Sequence, residues 1–248
     1  MRLSERSWRS YIDRLRTIND RAADAMTAWM RKNPAASTEE LIEYAYAIAT
    51  RSGEAAASLA CEMYDRTAAA QGATVPPAEP AATATYQETA KAVQGTAKVS
   101  ETEVPQTVGR LVKQAGVDTT MQNAIRDGAE WAWIPHGDTC AFCITLASNG
   151  WQRASKAAMK GGHAEHIHAN CDCTYSVRFD RKSTVAGYDP GQYRRIYEQA
   201  EGSTPEQKIN AMRRAFYAEN AEEINAQKRS AYAKRRERES SAAEETEV

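Results

Sequence analysis

Residues 130–143 read Glu-Trp-Ala-Trp-Ile-Pro-His-Gly-Asp-Thr-Cys-Ala-Phe-Cys, and residues 168–179 read His-Ala-Asn-Cys-Asp-Cys-Thr-Tyr-Ser-Val-Arg-Phe. These two stretches set the character of the middle of the chain. Trp131, Trp133 and Ile134 lead into a Pro-His-Gly-Asp turn, and Thr174 to Phe179 alternates with the period of a strand. Between them lie two cysteine pairs. Cys140 and Cys143 have the spacing at which a tight turn brings two sulfurs to one tetrahedral ion. Cys171 and Cys173 are two apart on an extended segment and therefore share a face. A Zn2+ ion held by the four cysteines, or by three of them with His168, satisfies this pattern, and the spacing does not choose between the two. Reduced buried thiols without metal, or a disulfide between the half-sites, are the alternatives. His136, His163 and His166 read as turn or surface histidines.

Working outward, both flanks are helical. Trp8, Tyr11, Ile12, Leu15, Ile18, Ala22, Met26 and Trp29 recur at three- and four-residue steps, which predicts a long amphipathic helix ending at Asn33-Pro34. Ser37 and Glu40 have capping-box spacing, and the stripe Leu41, Tyr44, Ala45, Ile48, Ala55, Leu59, Met63 predicts a second helix, antiparallel to the first. The aromatic residues on these stripes are expected to face their own core rather than a partner. Cys61, isolated in an alanine-rich stretch, reads as packing. From Gly72 to Pro105 the composition turns to Ala, Thr, Pro and Glu and looks linker-like, with a short helix near Tyr86–Val93. Val108, Leu111 and Val112, then Met121, Ala124 and Ile125, suggest two short helices broken at Gly116. Thr204-Pro205 with Gln207 caps a C-terminal helix whose stripe is Ile209, Met212 and Phe216. The basic cluster Lys228–Arg238 and the acidic end Glu244–Glu247 follow.

The expected fold class is therefore α+β and predominantly helical, with long amphipathic helices flanking a small antiparallel β unit that carries a cysteine-histidine, zinc-type centre. Four regions are expected: a helical hairpin at 1–72, a linker-like segment at 73–105, the α+β unit at 106–182, and a helical arm with its charged tail at 183–248. The 248 residues are 42% hydrophobic with a net charge of −1. Such a chain supplies a real core and is not built as a whole to coat nucleic acid or an anionic membrane. No apolar run approaches membrane-spanning length, and residues 1–29 lack the pattern of a signal peptide, so an intracellular, soluble protein without a disulfide framework is expected.

Enzyme signatures that share parts of this pattern fail on order. His163-Ala-Glu165 is the His-x-Glu half of the zinc deaminase signature, but here the cysteine pair precedes it and Thr139 stands where that signature has proline. Glu165-His166 invites comparison with HNH-type nucleases, yet Cys171-Asp-Cys173 is a poor second CxxC and no histidine follows His168.

Taken in order, Arg126, Asp138, Cys140, Cys143, His168, Cys171 and Cys173 resemble the pattern of the Mu F-type minor head proteins of tailed phages. That pattern runs from an arginine-bearing helix through a strand to Asp-x-Cys-x-x-Cys, and then to His-Pro-x-Cys-x-Cys at the start of another strand. Ala169 stands in place of the usual proline. The resemblance covers about a quarter of the chain and leaves both helical flanks unassigned. It implies a head-morphogenesis protein that associates with the portal protein and with capsid or scaffold components. Such a protein is assembled in the host cytoplasm and packaged in the phage head, from which it can leave with the DNA, and it implies no catalytic activity. In that setting Lys228–Arg238 can act as a non-specific contact to DNA phosphates, or simply as a solvated helix face.

Overall fold

The computed structural model describes residues 2–3, 5–136, 139–155, 172–223, 225–226 and 229–230. Two long helices, α1 (Glu5–Lys32) and α2 (Thr38–Ala70), form the expected antiparallel hairpin. Its ends fix its direction: Trp29 stacks on Tyr44 near the turn, with ring centroids 4.7 Å apart, and Arg14 pairs with Glu62 at 3.0 Å toward the other end. Asn33 closes α1 by donating from its side chain to the Trp29 carbonyl at 2.8 Å, and Pro34 prevents continuation. Ser37 and Glu40 then form the full capping box, satisfying two of the orphan donors at the start of α2. Trp8, Tyr11, Ile12, Leu15 and Met26 are buried as the stripe requires. These aromatics serve the protein's own core.

Helix α3 (Tyr86–Ala97) also opens with a capping box, from Thr85 and Glu88. After a single 3-10 turn at Glu101–Glu103 comes α4 (Val104–Arg126), which runs unbroken through Gly116. The break expected there is absent for a packing reason. A Cβ on Gly116 would stand 3.3 Å from the Ala56 carbonyl oxygen of α2, so the glycine allows α2 and α4 to approach closely. The proline-rich stretch before α3 is likewise no loose tether. Its Ala78 N–H donates to Asp65 at 2.8 Å, Glu79 N–H to Asn123 at 3.0 Å and Ala81 N–H to the Thr119 hydroxyl at 2.9 Å. The Pro76 and Pro77 carbonyls accept from Arg126 at 2.9 and 3.0 Å. An extended segment with prolines has no hydrogen bonds of its own, and side chains of α2 and α4 supply them here.

A three-stranded antiparallel sheet in the order β3-β2-β4 packs against these helices; its strands are β2 (Glu130–Ile134), β3 (Gln152–Arg153) and β4 (Thr174–Arg178). Ala132 of β2 faces Ser176 of β4, and the ladder ends at the pair Ile134–Thr174. β2 is the central strand and four consecutive residues are buried, which explains why Trp-Ala-Trp-Ile does not alternate. Trp131 stacks on Tyr175 at 5.0 Å, and Trp133 meets the same ring edge-on at 4.9 Å. Glu130 and Arg178 close the far end of the ladder at 2.6 Å, with Arg178 laid over Trp151.

The outer edge of β4 is finished by a side chain. At the end of α2, Gln71 accepts from the Phe179 N–H at 2.8 Å and donates to the Val177 carbonyl at 3.3 Å, as a neighbouring strand would. Hairpin and sheet share one apolar cluster, in which Trp8, Tyr11 and Met63 join Trp131, Trp133 and Tyr175. Short helix α5 (Ala141–Ser148) follows β2, while α6 (Pro190–Gln199) and α7 (Pro205–Glu219) pack against α5. A two-residue parallel pair, β1 (Arg2–Leu3) with β5 (Thr184–Val185), ties the start of the chain to its later part.

The architecture is thus predominantly helical with a small antiparallel sheet, as the sequence predicts.

Candidate functional site

The β2–β4 register brings Cys173 to the end of the sheet at which β2 stops. Because Ile134 pairs with Thr174, the residues that follow β2 lie beside Cys173, which precedes β4. The contact is direct: the His136 backbone N–H donates to the Cys173 sulfur at 3.4 Å. Cys173 is fully buried, and Cys143, in the first turn of α5, is only 1% exposed. Both belong to the aromatic cluster of Trp131, Trp133 and Tyr175. The Tyr175 phenol is raised above its ordinary range, chiefly by burial and then by the nearby Cys143. Burial and then Cys173 act on Tyr193 in the same sense.

Cys140 is placed differently. It is the N-cap residue of α5, its backbone is extended at φ −69° and ψ 160°, and it is exposed. Among the described residues no group of three or more histidine, cysteine or acidic side chains is arranged to hold a metal ion. Cys140, Cys143 and Cys173 do not form such a group by themselves, and the expected ligand set also needs Cys171 or His168. The donor chemistry fits an ion in one respect, since a backbone N–H aimed at a buried sulfur is the kind of partner a thiolate ligand takes. In ligand number the described residues fall short. Cys171 and His168 lie outside the described residues, as do Asp138, His163, Glu165 and His166.

The cysteine spacing does not show how neighbouring charged groups are used. Asp172, between the two cysteines of the second motif, reaches Arg16 of α1 at 3.6 Å and links the motif to the hairpin. Lys113 is 1% exposed in the middle of α4 and lies over the Trp133 ring at 5.9 Å. A lysine inside an apolar run was the available clue, because lysine is seldom fully buried without a specific environment. Arg126, the arginine of the resembled pattern, is not directed at a reacting group. It grips Asp127 with two hydrogen bonds, at 2.8 and 2.9 Å, while Tyr64 donates to the same carboxylate at 2.8 Å. Burial alone would raise Asp127, but the bonds from Arg126 and Tyr64 outweigh it and hold the carboxyl below its ordinary range. Together with its bonds to Pro76 and Pro77, Arg126 is a structural clamp.

The VG15 protein family matches the chain over residues 2–200, from β1 through the end of α6. The chain belongs to the VG15 protein family. This is a family of viral gene proteins, consistent with a phage protein. The VG15 match takes in the hairpin, the sheet and both cysteine motifs, and it ends before α7. No curated protein and no solved structure matches the chain. Among the described residues of this VG15 protein, no helix is long and apolar enough to cross a membrane.

Proposed function

We propose that the chain is a minor head protein of a tailed phage, a structural component that associates with the portal and is packaged in the head. The match to a viral gene protein family across residues 2–200 carries the reading. The ordered motif from Arg126 to Cys173 narrows it, and Cys173 of that motif lies beside the residues that follow β2. Capsid and scaffold components are its partners during assembly in the host cytoplasm. Lys228–Arg238 supplies a salt-sensitive, sequence-independent contact to packaged DNA. The expected outcome is that the protein co-purifies with virions and proheads at low copy number. Its absence from both, measured by mass spectrometry of purified particles, overturns the reading.

In this reading a structural Zn2+ ion belongs to Cys140, Cys143 and Cys171, with Cys173 or His168 completing the set. When bound, the ion would cross-link the start of α5 to the segment before β4. A structural site of this kind is stoichiometric, so protein purified under reducing conditions should carry about one equivalent of zinc, and less than about a tenth refutes the ion without touching the head assignment. No turnover is assigned. Cleavage of single- or double-stranded DNA with Mg2+ or Zn2+, abolished in His166→Ala, would replace this reading with a nuclease.

A further inference from the structure

The groove between α3 and α4 and the outer end of α7 complement each other. The groove has a volume of about 1040 Å³ and an apolar lining that includes Ala92, Val99, Leu111 and Ala115. Gly95 lines it with no side chain, and a Cβ there would meet nothing within 4 Å. Three carboxylates border it, Glu88, Glu103 and Asp118, against two cations, Lys91 and Arg110. It is roomy, small-residue in its lining and acidic in balance.

Helix α7 offers the opposite surface. Met212 anchors its first half, and α7 packs on α5. From Arg213 to Glu219 every side chain is exposed. The apolar stripe of Ile209 and Met212 thus continues off the body of the protein into Phe216, which is 52% exposed, beside Tyr217 at 56%. Arg213 lies three and four residues before these rings and shares their face, with Arg214 next to it. Aromatic residues and arginine are the types that anchor interfaces. The carboxylate-rich border matches the arginines, and the small-residue lining leaves space for a ring.

We infer that the Phe216–Tyr217 end of α7 docks in the α3–α4 groove of a second copy of this chain, with Arg213 and Arg214 against the groove's carboxylates. The contact is heterologous: each copy that offers its helix keeps its own groove open, so association proceeds head to tail until a ring closes. The inference is independent of the head assignment, since it rests on α3, α4 and α7 alone.

The test is sedimentation velocity of the full chain in reducing buffer, from about 1 to 200 μM, a span that reports micromolar association. Wild type is expected to gain mass with concentration. Phe216→Glu, which spoils the helix, and Gly95→Trp, which fills the groove, should each weaken association at least about tenfold. An equimolar mixture of the two variants retains one intact helix and one intact groove, so it should form a one-to-one pair and nothing larger. A wild type that stays a single copy throughout overturns the inference. Association that ignores Phe216→Glu overturns it as well, as does a variant mixture that never pairs.

Discussion

Helices α2 and α7 begin alike and end differently. Both start with a capping box and both carry an apolar stripe, Leu41 to Met63 in one and Ile209 to Phe216 in the other. In α2 the buried positions run from Leu41 to Ala68, whereas in α7 Met212 is the one buried residue. Local sequence therefore makes a helix in both places, and only the presence of α1, α4 and the sheet makes one of them a core element. The stretch matched by the viral family stops before α7, so the two helices also differ in whether the family shares them.

The sharpest way to break this contrast is at the wall that α2 helps to cover. Trp131→Ala leaves a large void beside Tyr175 and should lower stability by about 4 kcal/mol, read as a fall in the urea midpoint at unchanged slope. A smaller effect belongs to the groove side of α4. Burial, eased by the Gln114 amide and reinforced by Glu88, pushes the Asp118 carboxyl from 3.8 up to about 6. The folded chain therefore holds a proton between these values that the unfolded chain releases. The contribution of the neutral acid is fully present below about pH 4 and is lost as pH rises through about 6. Asp118→Asn keeps the neutral form, so it should match wild type at pH 4 and exceed it by about 2 kcal/mol at pH 7 in urea titrations. Smallest of all, Phe216→Ala in dilute protein should change stability by less than about 0.5 kcal/mol, because its ring is not part of the core. A larger loss would mean that α7 is as integral as α2.

Much of this fold is legible in the sequence because its signals are local. The capping boxes at Ser37, Thr85 and Thr204, the stop at Asn33-Pro34 and the strand from Thr174 depend on neighbours a few residues away. Gly116 misleads for the opposite reason: whether a glycine breaks a helix or admits a neighbour depends on Ala56, sixty residues earlier. The stretch before α3 misleads similarly, since its hydrogen-bond partners Asp65, Thr119, Asn123 and Arg126 lie on two other helices. At the candidate site the β2–β4 register sets Cys173 beside the residues that follow β2, and spacing singles out these cysteines. Spacing does not reveal that Cys140 is an exposed helix cap while Cys143 is buried, because that depends on where α5 begins.

The amide of Gln71, which completes the outer edge of β4, has a consequence for synthesis and storage. An uncovered strand edge is a template on which any extended chain can grow. Here the cover comes from the last turn of a helix made more than a hundred residues before the strand it protects. The β4 edge is therefore covered by a piece that has already left the ribosome when the sheet emerges. Any lesion that unwinds the end of α2 should be felt first as clumping, before it is felt as a loss of helix.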